Sequence, residues 1–171
     1  MSLTFAIEPV VVCWDEVLAL ATEHWRSTKS YRRHQPFCPS LARYEDYNER
    51  GFFLLYTARD AGVLVSYFGV YLCPSMHSQL LTATEDTFYI APSHRKGWTA
   101  VRFIKFIEQD LTNRGVHEIL FSCEAENPAK RLLDFLKYAP VIVQYSKVLT
   151  PSIRADSATA ADQDCTHVGS A

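Results

Sequence analysis

The stretch from Thr87 to Leu111 limits what this chain can fold into more than any other part of it. A strand-like run, Thr87-Phe88-Tyr89-Ile90-Ala91, stops at Pro92, and a short basic turn, Ser93 to Thr99, leads without a break into an amphipathic helix. A strand that feeds a glycine-containing turn and then a helix leaves several N–H groups pointing outward at the positive end of the helix dipole. That arrangement is an anion site, and His94, Arg95 and Lys96 add formal charge to it. The pattern predicts a phosphorylated ligand.

The rest of the chain alternates strand and helix periods around this unit. Thr4 to Ile7 reads as a strand, Trp14 to Trp25 as a helix, and Arg26 to Pro39 as a loop. Leu41 to Arg50 reads as a second helix closed by Gly51. Phe52 to Thr57 and Val63 to Leu72 form a hairpin about Arg59-Asp60-Ala61-Gly62. After a loop from Cys73 to Ser78, Leu80 to Ile90 is a long strand. The helix from Gly97 carries Ala100, Val101, Phe103, Ile104, Ile107 and Leu111 on its apolar face and ends at Gly115. Glu118 to Cys123 reads as a strand, Asn127-Pro128 as the cap of a helix through Leu136, and Val141 to Leu149 as a final strand. The order predicts a mixed α/β domain, a mostly antiparallel sheet flanked by helices.

Composition bounds the function. At 171 residues, 48% hydrophobic and 21% charged, the chain predicts one soluble globular domain over residues 1–150. Residues 151–171, rich in Ala, Ser, Thr and Asp, read as a disordered tail. A net charge of −2 excludes a globally basic nucleic-acid binder while leaving room for a local basic patch. No apolar run approaches the roughly 20 residues that cross a bilayer, so no membrane partner is expected. Five cysteines without a Cys-x-x-Cys pair argue for scattered thiols in a reducing, cytoplasmic setting and against a structural metal.

Neither a GxGxxG fingerprint nor a GxxxxGK[ST] loop is present. The sequence Phe88-Tyr89-Ile90-Ala91-Pro92, two residues, then Arg95-Lys96-Gly97-Trp98-Thr99 instead resembles the GNAT family of N-acetyltransferases. It is similar to that family's strand, proline and pyrophosphate-loop signature. Asn127-Pro128-Ala129-Lys130-Arg131-Leu132-Leu133, closing with Tyr138, is similar to the family's last helix-strand unit, and the segment from His77 to Glu108 is most like phage- and prophage-encoded members. The resemblance covers Thr4 to Leu149.

The resemblance implies acetyl-coenzyme A as co-substrate, no metal, and direct transfer to a primary amine on a small molecule, a protein lysine or an N-terminus. Its pyrophosphate would sit on the N–H groups of Arg95 to Thr99, beside His94, Arg95, Lys96, Gly97 and Trp98, with Asn127 as a further contact. The pantetheine arm would pair with main-chain groups of Tyr89, Ile90 and Ala91. The base candidates are Glu85 and Asp86. Adjacent strand residues face opposite ways, so only one of them faces the acceptor. The phage-type resemblance favours Asp86, and the position used by many other members falls nearer Glu85. Glu124 is a third carboxylate within reach of the cleft. Where many members carry a tyrosine acid, this chain has Leu133.

Arg26, Lys29, Arg32, Arg33 and His34, with Tyr31 among them, form the most basic run. It reads first as a solvated loop, and otherwise as a surface for an acidic acceptor or a nucleic-acid backbone. Two functions follow from the resemblance. One is an acetyltransferase, monomeric or homodimeric, working in the cytoplasm or, if phage-encoded, in the host's. The other is a non-catalytic module that binds coenzyme A or a host protein.

Overall fold

A computed structural model of the chain describes residues 3–27, 37–123, 127–145, 147 and 149. The elements run β1 (Leu3–Ile7), α1 (Val10–Ser27), α2 (Leu41–Glu49), β2 (Phe53–Asp60), β3 (Val63–Pro74), β4 (Leu81–Ile90), α3 (Thr99–Asn113), β5 (Glu118–Leu120) and α4 (Ala129–Phe135). A single 3-10 turn, Pro92–His94, joins β4 to the loop before α3. One five-stranded sheet in the order β1-β2-β3-β4-β5 holds the fold together. Its first four strands pair antiparallel, and β5 joins β4 in parallel.

Strand alternation divides the apolar residues between two faces. Tyr56, Phe68, Val70 and Ala83 pack with Phe103, Ile107 and Leu111 of α3 on one side. Phe53, Leu55, Leu64, Tyr67 and Tyr89 pack with Val10, Cys13 and Val17 of α1 on the other. The apolar spacing expected in α3 is realised, since Phe103, Ile104, Ile107 and Leu111 are all buried. Each such burial stabilises the fold by roughly 1.5–3 kcal/mol. The β2–β3 hairpin closes on Ala61 and Gly62, at φ 49° and 86°. Two positive φ angles are what a two-residue turn needs to match the strand twist.

Several boundaries differ from the sequence expectation: α1 starts at Val10 rather than Trp14, and β2 runs on to Asp60 rather than stopping at Thr57. The third helix starts at Thr99, because Gly97 adopts φ +69°, which is outside helical space. The strand expected from Glu118 to Cys123 ends at Leu120, where β4 no longer runs alongside it.

No strand forms over 141–145, and Val141, Ile142, Val143 and Tyr145 are exposed. Their β-competent pattern lacks a neighbouring strand, and a strand without lateral pairing has no ladder to stabilise it. The basic run from Lys29 to His34, Glu124 and the expected tail lie outside the described residues.

Candidate functional site

Strand β4 makes the site by leaving its neighbours in two places. Its parallel ladder with β5 covers only Thr82–Thr84 against Glu118–Leu120. Beyond Thr84 no ladder joins the two strands among the described residues, which leaves a gap in the pairing beside the rest of β4. On the other side its register with β3 slips between Gly69 and Val70, which oppose Thr87 and Glu85. Asp86 is therefore the extra residue of a β-bulge. A bulge re-aims side chains and bends its strand.

The bulge separates the two carboxylates. Glu85 faces the gap, where its Oε2 accepts the Ser122 N–H at 3.2 Å and spans the opening that backbone pairing leaves. Asp86 turns to the α1/α2 face, where its Oδ2 accepts the Tyr44 hydroxyl at 3.0 Å. Thr87 lies on that same face, with its Oγ1 3.4 Å from His24 Nδ1. Two successive residues on one face is the signature of the slip.

Tyrosines surround Asp86. Phe53 lies tilted between Tyr44 and Tyr71, at 5.1 and 5.2 Å, and Tyr47 meets Tyr71 edge-on at 5.9 Å. Burial, with the Asp86 charge, pushes the Tyr67 and Tyr71 phenols up to about 12, and Tyr44 higher still. All three therefore stay neutral hydrogen-bond donors at neutral pH. His24 stacks on Tyr89 at 4.9 Å and lies 3.4 Å from the Tyr67 hydroxyl. Burial, and then the Arg95 charge, lower its pKa below 6.5, so it is neutral at pH 7. The Tyr89 hydroxyl is buried and makes no hydrogen bond of normal geometry.

At its end, β4 presents backbone to the gap. The Ala91 N–H donates to Val65 O at 2.8 Å. By the alternation of an antiparallel ladder, Thr87, Tyr89 and Ala91 direct their main-chain groups at β3, and Phe88 and Ile90 direct theirs at the gap. Of the three residues expected to pair with a pantetheine arm, Ile90 is the one facing it. Arg95 Nε donates to Ile90 O at 2.7 Å, and its guanidinium lies 5.2 Å from the Tyr89 ring centre.

The loop ahead of α3 leaves its backbone open. Gly97 holds the left-handed turn, nothing lies within 4 Å of where its Cβ would be, and no side chain caps the helix at Trp98. The first-turn N–H groups have no intrahelical acceptor by construction, so the residues present fit a diphosphate. Lys96 is exposed, and Thr99 Oγ1 donates to Lys96 O at 3.4 Å. The other two basic side chains are engaged with the protein's own groups. His94 Nε2 lies 3.2 Å from Asp60 Oδ2 and its Nδ1 2.8 Å from Ser93 Oγ, while Arg95 folds back on β4. Charge at the loop thus rests on Lys96 and the helix terminus more than on His94 and Arg95.

Asn127 acts as a cap, with its Oδ1 accepting the Ala129 N–H at 2.9 Å. The exposed Trp98 ring, 5.8 Å from Phe135, ties α4 to the loop. Tyr138 sits elsewhere. Its hydroxyl donates to Glu108 Oε1 at 2.9 Å, in a groove of about 330 Å³ between α3 and β5 that contains none of the predicted site residues. Among the described thiols, Cys13, Cys73 and Cys123 are free. Among the described residues no group of side chains has the make-up of a metal site, and no helix is long and apolar enough to cross a membrane.

Sequence reasoning missed Tyr44, His24 and the bulge. Gly69, isolated inside a strand pattern, was the available signal for the bulge.

No protein-family model and no curated protein matches the chain. Solved structures do. An aminoglycoside acetyltransferase from an uncultured soil metagenomic sample superposes with TM-score 0.72 at 19% identity, covering 88% of this chain and 100% of its own. A ribosomal-protein-alanine N-acetyltransferase from Brucella melitensis biovar Abortus 2308 gives TM-score 0.70 at 17% identity, covering 86% and 99%. A transcriptional regulator from Bacillus halodurans C-125 gives 0.68 at 16%, again covering 86% and 99%. The five-stranded sheet with its flanking helices is thus the fold of these structures.

Proposed function

We propose that the chain is an acetyl-coenzyme A-dependent N-acetyltransferase that transfers the acetyl group directly to a primary amine. The observation that carries this reading is the continuity of one strand. Past Thr84, β4 faces the gap and runs directly into the uncapped, left-handed Gly97 turn at the start of α3. A diphosphate on that turn would lead its thioester arm back along the gap-facing groups of Ile90 and Phe88 toward the bulge. Bound there, the co-substrate supplies an activated acetyl group.

The protein's own residues then have distinct tasks. Lys96 and the amides from Arg95 to Thr99 hold the diphosphate, with Gly97 giving the backbone its close approach. The Ile90 N–H points at the gap and polarises the thioester carbonyl. Asp86, bound to Tyr44, takes one proton from the acceptor's ammonium group. The N–C bond forms as the C–S bond breaks, and the second amine proton passes through water to the departing thiolate. Glu85, engaged with Ser122, is the alternative base. Asn127 supports α4 as its cap.

A second reading is a module that binds coenzyme A, or a host protein, without turnover. The engagement of His94 and Arg95 with the protein's own groups favours it, as does the presence of the same fold in a structure named as a transcriptional regulator. Thiol release from acetyl-coenzyme A over a panel of amines decides between the two. Amine-dependent release supports the enzyme. Binding without release for any amine supports the module.

A further inference from the structure

We infer that the acceptor is a compact alkylammonium cation, received by Asp86 within a wall of tyrosine rings between α1, α2, β3 and β4. This rests on the acetyltransferase reading and adds the acceptor's charge and chemical type. Five of the chain's nine tyrosines, Tyr44, Tyr47, Tyr67, Tyr71 and Tyr89, lie on this one side of the sheet. The bulge puts the Asp86 carboxylate among them, bonded to Tyr44 at 3.0 Å.

The chemistry of that set is one-sided. A carboxylate attracts a cation, and the faces of aromatic rings add to the attraction through their quadrupoles, most strongly when water is excluded. The same faces repel an anion. The Tyr44 hydroxyl donates to Asp86 and holds its carboxylate in place. Arg95 borders this set at Tyr89 and belongs to the loop end, where Ile90 O engages it. The site is thus polarised along β4, with a basic end for phosphate and an acidic, aromatic end for an amine. An acidic acceptor, which the basic run before α2 suggested, fits this end poorly.

The test uses the full chain and a probe that cannot be acetylated. Tetramethylammonium is titrated into the protein while tyrosine NMR shifts are followed. In parallel, kcat/KM is measured for 1,5-diaminopentane, aniline and glucosamine 6-phosphate. The inference expects tetramethylammonium to bind, to compete with the amine and not with acetyl-coenzyme A, and to bind at least tenfold more weakly to Asp86→Asn and to Tyr71→Leu. It expects the diamine to exceed the phosphorylated amine at least tenfold. Preference for the phosphorylated or aromatic amine overturns it, as does tetramethylammonium binding that neither variant weakens. Failure to bind acetyl-coenzyme A strikes the acetyltransferase reading instead, and the tetramethylammonium titration still decides the cation site.

Discussion

Tyr44, on the second helix, donates its hydroxyl to the Asp86 carboxylate across 42 residues of sequence, at 3.0 Å. The bond joins α2 to the one residue of β4 that has no partner in the β3 ladder. A hydrogen bond to an ionised carboxylate contributes about 1.5–3 kcal/mol, enough to fix which way the carboxylate points. Tyr44 is in this account a positioning residue, and α2 is part of the acceptor site through it.

Replacing Tyr44 with Phe keeps the ring against Phe53 and removes the hydroxyl. The carboxylate loses a donor that favours its charged form, so the acid limb of the pH–rate profile moves to higher pH. Turnover falls roughly tenfold, the equivalent of about 1.4 kcal/mol, while the KM for acetyl-coenzyme A is unchanged. A uniform loss with no movement of the profile would mean that Tyr44 only packs.

Gly69 sits opposite the bulge with the Phe53 ring laid over it. A Cβ built there meets Phe53 Cζ at 2.8 Å and Thr87 Cγ2 at 3.4 Å. Phe53 is 2% exposed and has no space to retreat. Gly69→Val is expected to cost about 1–3 kcal/mol by overpacking, read as a lowered melting temperature. Gly69→Val combined with Phe53→Leu should recover part of the loss. Recovery that fails in the double variant would place the strain elsewhere.

How far the sequence reveals this molecule depends on the range of the interactions. The α3 face, the Gly97 turn and the Ala61–Gly62 hairpin are written in residues within one or two turns of each other, and all three were legible. The bulge depends on the register between β3 and β4, and the Tyr44–Asp86 and His24–Thr87 contacts join residues 42 and 63 positions apart. No local pattern encodes such pairs. The run from Val141 to Tyr145 shows the converse. Its alternation is that of a strand, but strand formation needs a neighbouring edge, and sequence alone does not report whether one is within reach.

Arg59 links three segments beside the β2–β3 turn. Its guanidinium meets Glu8 at 3.0 Å and Glu16 at 2.7 Å and donates to Gly62 O at 3.0 Å. Hydrogen bonds from Arg59 hold the Glu16 carboxyl below its ordinary 4.5. A carboxylate lowered on folding stabilises the protein above its unfolded pKa, and the contribution is lost as pH falls through the folded value. Arg59→Ala should therefore lower the melting temperature at pH 7, and the gap to wild type should shrink below about pH 4. Arg59→Lys should not restore it, because an ammonium lacks the planar fork that meets two carboxylates. A gap independent of pH would assign the loss to packing of the Arg59 stem.

Cys13 is 1% exposed, and burial followed by the Glu8 charge raises its thiol from 9.0 to about 11. At pH 8 that leaves about 0.1% thiolate. Alkylation of the native protein, mapped by mass spectrometry, should modify the exposed Cys73 and Cys123 and spare Cys13 until the chain is unfolded. Early labelling of Cys13 would contradict the packing of α1 on the sheet.

The anion grip at the start of α3 is tested most directly by calorimetric titration of coenzyme A into wild type and Gly97→Glu. The substitution forces a side chain onto a φ of +69° and sets a negative charge at the positive end of the helix. The account predicts saturable one-site binding by the wild type, and loss of at least a hundredfold in affinity in a variant that melts within a few degrees of it. Equal binding by the two proteins would contradict it.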